Sequence, residues 1–130
     1  MNIHDITMVS DSAATIIVTP DPAPISQNAD GLRWKLTGQG GKTYAFTADG
    51  ISFPAGQPSG ASAPATGTAA EFVWCFGPTS PRYTSWKYTV KFYDTAASAS
   101  APVWKCDPTI INSNQFSDVS ASTSVNCVPQ

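Results

Sequence analysis

The clearest order in this chain is the alternation of apolar and polar positions over residues 86–93. Trp86, Tyr88, Val90 and Phe92 fall on one face of an extended chain, and Lys87, Thr89 and Lys91 on the other. A strand turns successive side chains to opposite faces, so this period of two predicts a long central strand with one core-facing wall. Its aromatic and β-branched residues suit a pleated, half-buried surface. Residues 32–36, Leu-Arg-Trp-Lys-Leu, alternate as cleanly. Residues 14–19 predict a further strand, ended by Pro20, Pro22 and Pro24, which cannot donate to a ladder. Residues 43–47 follow a Gly-rich turn at 38–41 and are expected to pair with 32–36 as a hairpin. Asp49-Gly50 predicts a second turn before a short strand at 51–53. Residues 71–76, Glu-Phe-Val-Trp-Cys-Phe, are apolar on both faces, as in a buried central strand. Residues 1–12 alternate poorly and allow a short edge strand at 2–9, while 103–106 and 109–112 supply the last two strands.

Seven or eight short strands without a helical period predict an all-β protein, an antiparallel Greek-key β-sandwich. A small closed barrel is the alternative. Residues 1–112 form one domain and residues 113–130 a polar tail. Residues 54–69 are built almost wholly of small residues and predict a long loop, either a surface excursion or a segment laid against another copy.

Composition narrows the function. Charged residues make up 12% of the chain, about half the usual ~25%. The net charge of −2 and pI near 5.0 argue against a nucleic-acid partner, which calls for a basic patch. No run approaches the ~18 apolar residues that would predict a membrane span. Residues 1–5 have neither a basic nor an apolar leader segment, so the chain is expected to be cytoplasmic. Extracellular assembly, after trimming or by non-standard export, is the alternative.

The order of motifs resembles a group of small bacterial proteins without an assigned activity. It runs Leu32-Arg33-Trp34-Lys35-Leu36, Tyr44-Ala45-Phe46 with Asp49-Gly50-Ile51, Phe72-Val73-Trp74, Tyr88-Thr89-Val90, and Asp107-Pro108-Thr109-Ile110-Ile111-Asn112. In that group a W-x-L strand, a hairpin ending in D-G-I, a paired Y-x-V strand and a closing D-P-x-I-x-N motif recur. The resemblance covers residues 30–112 and implies an immunoglobulin-like or cupredoxin-like sandwich.

A cupredoxin-like fold raises the question of copper. A blue-copper site needs two His and one Cys, and this chain has only His4, so no metal or cofactor is expected. The same shortage of histidine leaves a Ser or Cys nucleophile without a base, so no catalytic residue is assigned. Most of the carboxylates sit at turn signals, where Asp caps backbone amides.

Three cysteines, Cys75, Cys106 and Cys127, leave two readings: buried inert thiols, or one Cys106–Cys127 disulfide tying down the tail. Two functions follow. The first is a non-catalytic structural or assembly subunit that associates with copies of itself. Its candidate contacts are Ile110 and Ile111 on the last strand, and Val125 and Val128 in the tail. Neither candidate edge, residues 2–9 or 109–111, carries the Lys or Pro that guards exposed edges. A polar tail orders only if a disulfide or a neighbouring copy holds it. The second is a carbohydrate-binding module that stacks sugar rings on Trp104 and Tyr83.

Overall fold

A computed structural model describes residues 2–12, 15–25, 30–54, 56, 71–76, 85–96, 103–112 and 122–130. Tyr83 and nearly all of the 54–69 loop lie outside the described residues, as does the side chain of Ile111. The described chain is all-β and holds no helix. Its strands are β1 (Asn2–Ser12), β2 (Thr15–Thr19), β3 (Ala23–Ile25), β4 (Asp30–Gly38), β5 (Tyr44–Ser52) and β6 (Glu71–Phe76). They continue with β7 (Ser85–Lys87), β8 (Thr89–Asp94), β9 (Trp104–Cys106), β10 (Thr109–Asn112), β11 (Thr123–Asn126) and β12 (Val128–Pro129). Twelve strands lie among the described residues, two of them in the polar tail.

These strands form three sheets, ordered β11-β2-β1-β4-β6, β3-β10-β7 and β12-β9-β8-β5. One hydrophobic core takes side chains from all three, among them Ile6, Met8, Leu32, Trp34, Tyr88, Val90, Phe92 and Ile110, each 0% exposed. The antiparallel expectation needs correction: β1 runs parallel to β4, and β10 parallel to β3. Parallel neighbours need a long crossover, and the chain between β1 and β4 supplies one through β2 and β3.

Four further expectations change. The strand predicted at 86–93 is divided: β7 pairs with β10, while β8 pairs with β5 and β9. Tyr88, between them, is fully buried, so one alternating face serves two sheets. The predicted hairpin of residues 32–36 with 43–47 does not form, because β4 and β5 belong to different sheets. The exposed turn between them, with Gly40 and Gly41 at φ of 63° and 78°, carries the chain from one sheet to another instead of pairing its arms. Asp49-Gly50 makes no turn but a register shift within β5, between Phe46 and Ile51. A Cβ on Gly50 would lie 2.7 Å from that of Phe46, so the irregularity requires glycine. Finally, β6 lies at the margin of its sheet, while β1, expected at an edge, lies inside.

Candidate functional site

The region with the most unusual anchoring is the carboxy-terminal clasp formed by β11, Cys127 and β12. β11 pairs with β2, setting Thr123 opposite Val18 and Val125 opposite Ile16. β12 pairs with β9 in a different sheet, setting Val128 opposite Lys105 and Pro129 opposite Trp104. Between the two strands, Cys127 is joined to Cys106 by a disulfide with Cα atoms 4.5 Å apart. The tail therefore binds its own domain, through the disulfide and through strand pairing within the chain. Cys75 stands outside the disulfide, half-buried on β6.

Side-chain burial contributes little to this anchoring. Across residues 122–130, Cys127 is buried and Val125 half-buried, and every other side chain is exposed. Polar contacts add to the hold: Thr19 and Ser122 share a hydroxyl hydrogen bond of 2.7 Å, and Thr123 donates to the Asp21 carbonyl at 3.3 Å. At the far end, the Gln130 amide donates to the Val103 carbonyl at 2.7 Å.

The other predicted site residues divide. Ile110 is 0% exposed, and β10 lies between β3 and β7. Ile110 is therefore core and not an assembly contact, because β10 has no open edge. The Ile111 backbone pairs with Pro24 and Ser85 on its two sides. Val125 sits on β11, at the margin of its sheet among the described strands. Val128 is 58% exposed, but it shares its strand with Pro129. Trp104 is half-buried and packed against the core, leaving only part of its surface for a sugar ring. The motif of residues 107–112 is structural. Asp107 accepts a hydrogen bond from the Thr89 hydroxyl at 2.8 Å, the Pro108 carbonyl accepts one from the Tyr88 amide at 3.1 Å, and the Thr109 amide donates to Asp21 at 3.2 Å.

Several charged groups on the described surface are paired. Arg33 donates to both carboxylate oxygens of Asp5, at 2.6 and 3.2 Å, and Lys35 approaches at 3.5 Å. The Arg33 hydrogen bond is the main reason the Asp5 carboxyl sits below its ordinary range. Lys91, 2.9 Å away, does the same for Asp49, helped by the Thr47 hydroxyl. Carboxyls held ionised in this way are poorly suited to general-acid chemistry. No cluster of three metal-ligating side chains occurs among the described residues.

Within the core, Trp34 and Tyr88 lie with ring centroids 5.3 Å apart. Burial drives the Tyr88 phenol well above its ordinary value. The Trp34 N–H opposes this and the Asp21 charge adds to it. Neither the Trp34 indole N–H nor the Tyr88 hydroxyl has a hydrogen-bond partner among the described residues. By contrast, the Trp74 indole donates to the Ile51 carbonyl at 3.0 Å and ties β6 to β5 across the core.

No protein-family model matches the chain, and no curated protein does. Among the described residues, no helix is long and apolar enough to cross a membrane.

Proposed function

We propose that this chain is a non-catalytic structural subunit, a Greek-key β-sandwich of the immunoglobulin-like or cupredoxin-like kind, that associates with copies of itself through the edge at β11. The observation that carries this reading is the uneven guarding of sheet margins. β3 and β12 each contain a proline, β5 has a register shift, and β7 is a three-residue strand ending in Lys87. All of these are ways in which natural proteins blunt an edge. β11, Thr-Ser-Val-Asn, has neither charge nor proline. β6 also lacks proline but opens with exposed Glu71. An added strand would gain main-chain hydrogen bonds along β11 and cover half-buried Val125.

The Cys106–Cys127 disulfide bears on location. Such bonds persist in oxidising compartments, which favours the extracellular alternative over the cytoplasmic expectation. The carbohydrate alternative is less well supported, since Trp104 packs on the core.

Light scattering across a concentration series tests the association. The wild-type mass is expected to rise with concentration. Ser124→Lys, which places a charge on the exposed edge, is expected to hold the chain monomeric with unchanged melting. A wild-type chain that remains monomeric at its highest soluble concentration would refute the reading.

A further inference from the structure

We infer that the flank of β2 beneath β11 is a strand-accepting site that residues 122–130 of a second copy can fill, with the Cys106–Cys127 disulfide as the latch that keeps each copy's own segment in place. The inference shares with the proposed function only the identity of the partner. Exchange of β11 and addition of a strand onto β11 are separate events.

Three features support it. The segment itself is held by few side chains: Cys127 is 6% exposed, Val125 is half-buried, and the remaining side chains are in solvent. Its other bonds are mostly ladder pairings to β2 and β9, which a second copy would reproduce residue for residue. Exchange therefore changes only which chain connects to the segment, the condition under which swapping costs little.

The accepting strand is held on its other side by β1, and with β11 in place its Ile16 and Val18 are 0% exposed. Removing β11 would leave a sheet flank of β-branched residues, Thr15-Ile16-Ile17-Val18-Thr19, without charge or proline. That is the kind of edge which recruits another strand.

Residues 113–121 join β10 to the segment, and a chain of that length reaches at most about 30 Å when fully extended.

The chemistry of the latch balances with a dithiol as reductant. When β12 frays, one thiolate of the dithiol attacks the Cys127 sulfur, and Cys106 leaves as the thiolate and takes up a proton. The second thiol of the dithiol then attacks the mixed disulfide and releases Cys127. Two electrons and two protons pass to the protein, and the dithiol becomes a cyclic disulfide. Reoxidation at high protein concentration by a small-molecule disulfide, which takes up the two electrons and two protons and leaves as two thiols, joins Cys106 of one copy to Cys127 of the other.

Complementary variants provide the test. One chain carries Cys75→Ser and Cys106→Ser, the other Cys75→Ser and Cys127→Ser. Neither can close its own disulfide. Mixed at high concentration in a dithiol–disulfide buffer, they are expected to give a covalent heterodimer, several-fold above the dimer formed by either alone. Peptide mapping should place the bond between Cys106 and Cys127. A mixture no richer in covalent dimer than the separate chains overturns the inference, provided circular dichroism shows both folded. If either is unfolded, the Cys75→Ser chain is reduced, concentrated and reoxidised, and intermolecular Cys106–Cys127 bonds are sought in the dimer fraction. Their absence there overturns it equally. The same reoxidation of the Cys75→Ser chain carrying Ser124→Lys separates the two readings. Ser124→Lys obstructs strand addition outside β11 and leaves the β11–β2 ladder intact, so exchange should survive it. Failed exchange beside concentration-dependent growth of the wild type would sink this inference and spare edge addition.

Discussion

β1 and β11, the strands near the two ends of the chain, lie in the same five-stranded sheet and are held by different physics. β1 is paired on both sides, with β2 and β4, and places Ile6 and Met8 wholly in the core. Among the described residues β11 is paired on one side only, and it offers the core a half-buried Val125. Near one end apolar burial supplies the anchor. Near the other, a covalent bond at Cys127 does most of what burial cannot. Strand pairing alone is a weak anchor, because each hydrogen bond replaces one with water. Its strength at an edge depends on what else is attached.

Truncation at each end should break the comparison if it is wrong. Ile6→Ala is expected to cost roughly 2–5 kcal/mol, as for a fully buried aliphatic side chain in a packed core. Val125→Ala should cost under about 1 kcal/mol, because little apolar surface leaves water there. Chemical denaturation of the two variants measures both. Equal losses would mean that the tail is anchored by burial after all.

Breaking the covalent anchor comes next in size. The disulfide joins residues 21 apart in sequence, and a loop of that length gives roughly 3 kcal/mol of stabilisation when closed. The paired change Cys106→Ala and Cys127→Ala should lower stability by that order. Hydrogen exchange should then show loss of protection concentrated in β11 and β12, while β1 stays protected. Uniform loss across the sheet would show that the bond braces the whole core.

Much of the architecture's local content was legible in the sequence, and its pairing was not. The alternation of Tyr88, Val90 and Phe92 marked core positions correctly because period two is a local property of any strand. It did not reveal that the chain changes sheets at Tyr88, because ladder partners come from distant residues. β1 was hidden differently. Its inward positions include buried Ser10, which donates to the Thr15 carbonyl at 3.2 Å, while its outward positions include exposed Ile3. A polar residue facing in and an apolar one facing out hide the period. Asp49-Gly50 misled because the same dipeptide serves a turn and a strand irregularity. Only the close approach of Phe46 distinguishes them. In the tail, Cys127 was recognisable as an anchor. β11 and β12 were not, since nothing in a polar run announces which edge it will complete.

The smallest expected effect concerns the charges across the β1–β4 seam, for which β11 has no counterpart. Asp5 and Arg33 are register partners on parallel strands and are joined by two hydrogen bonds. Both side chains are more than a third exposed, so solvent screens the pair and Asp5→Asn should cost under about 1 kcal/mol. Its pH dependence has a definite sign. The folded-state Asp5 carboxyl lies below the ordinary value of 3.8, so the unfolded chain takes up a proton first as pH falls. The stabilisation is therefore fully present above that value and fades as pH drops through the folded-state one. Measured from neutral pH downward, the stability gap between wild type and Asp5→Asn should stay constant and then close in acid. Adding salt at neutral pH should narrow it as well. A gap that widened in acid, or ignored salt, would mean that Asp5 acts on β1 through packing instead of charge.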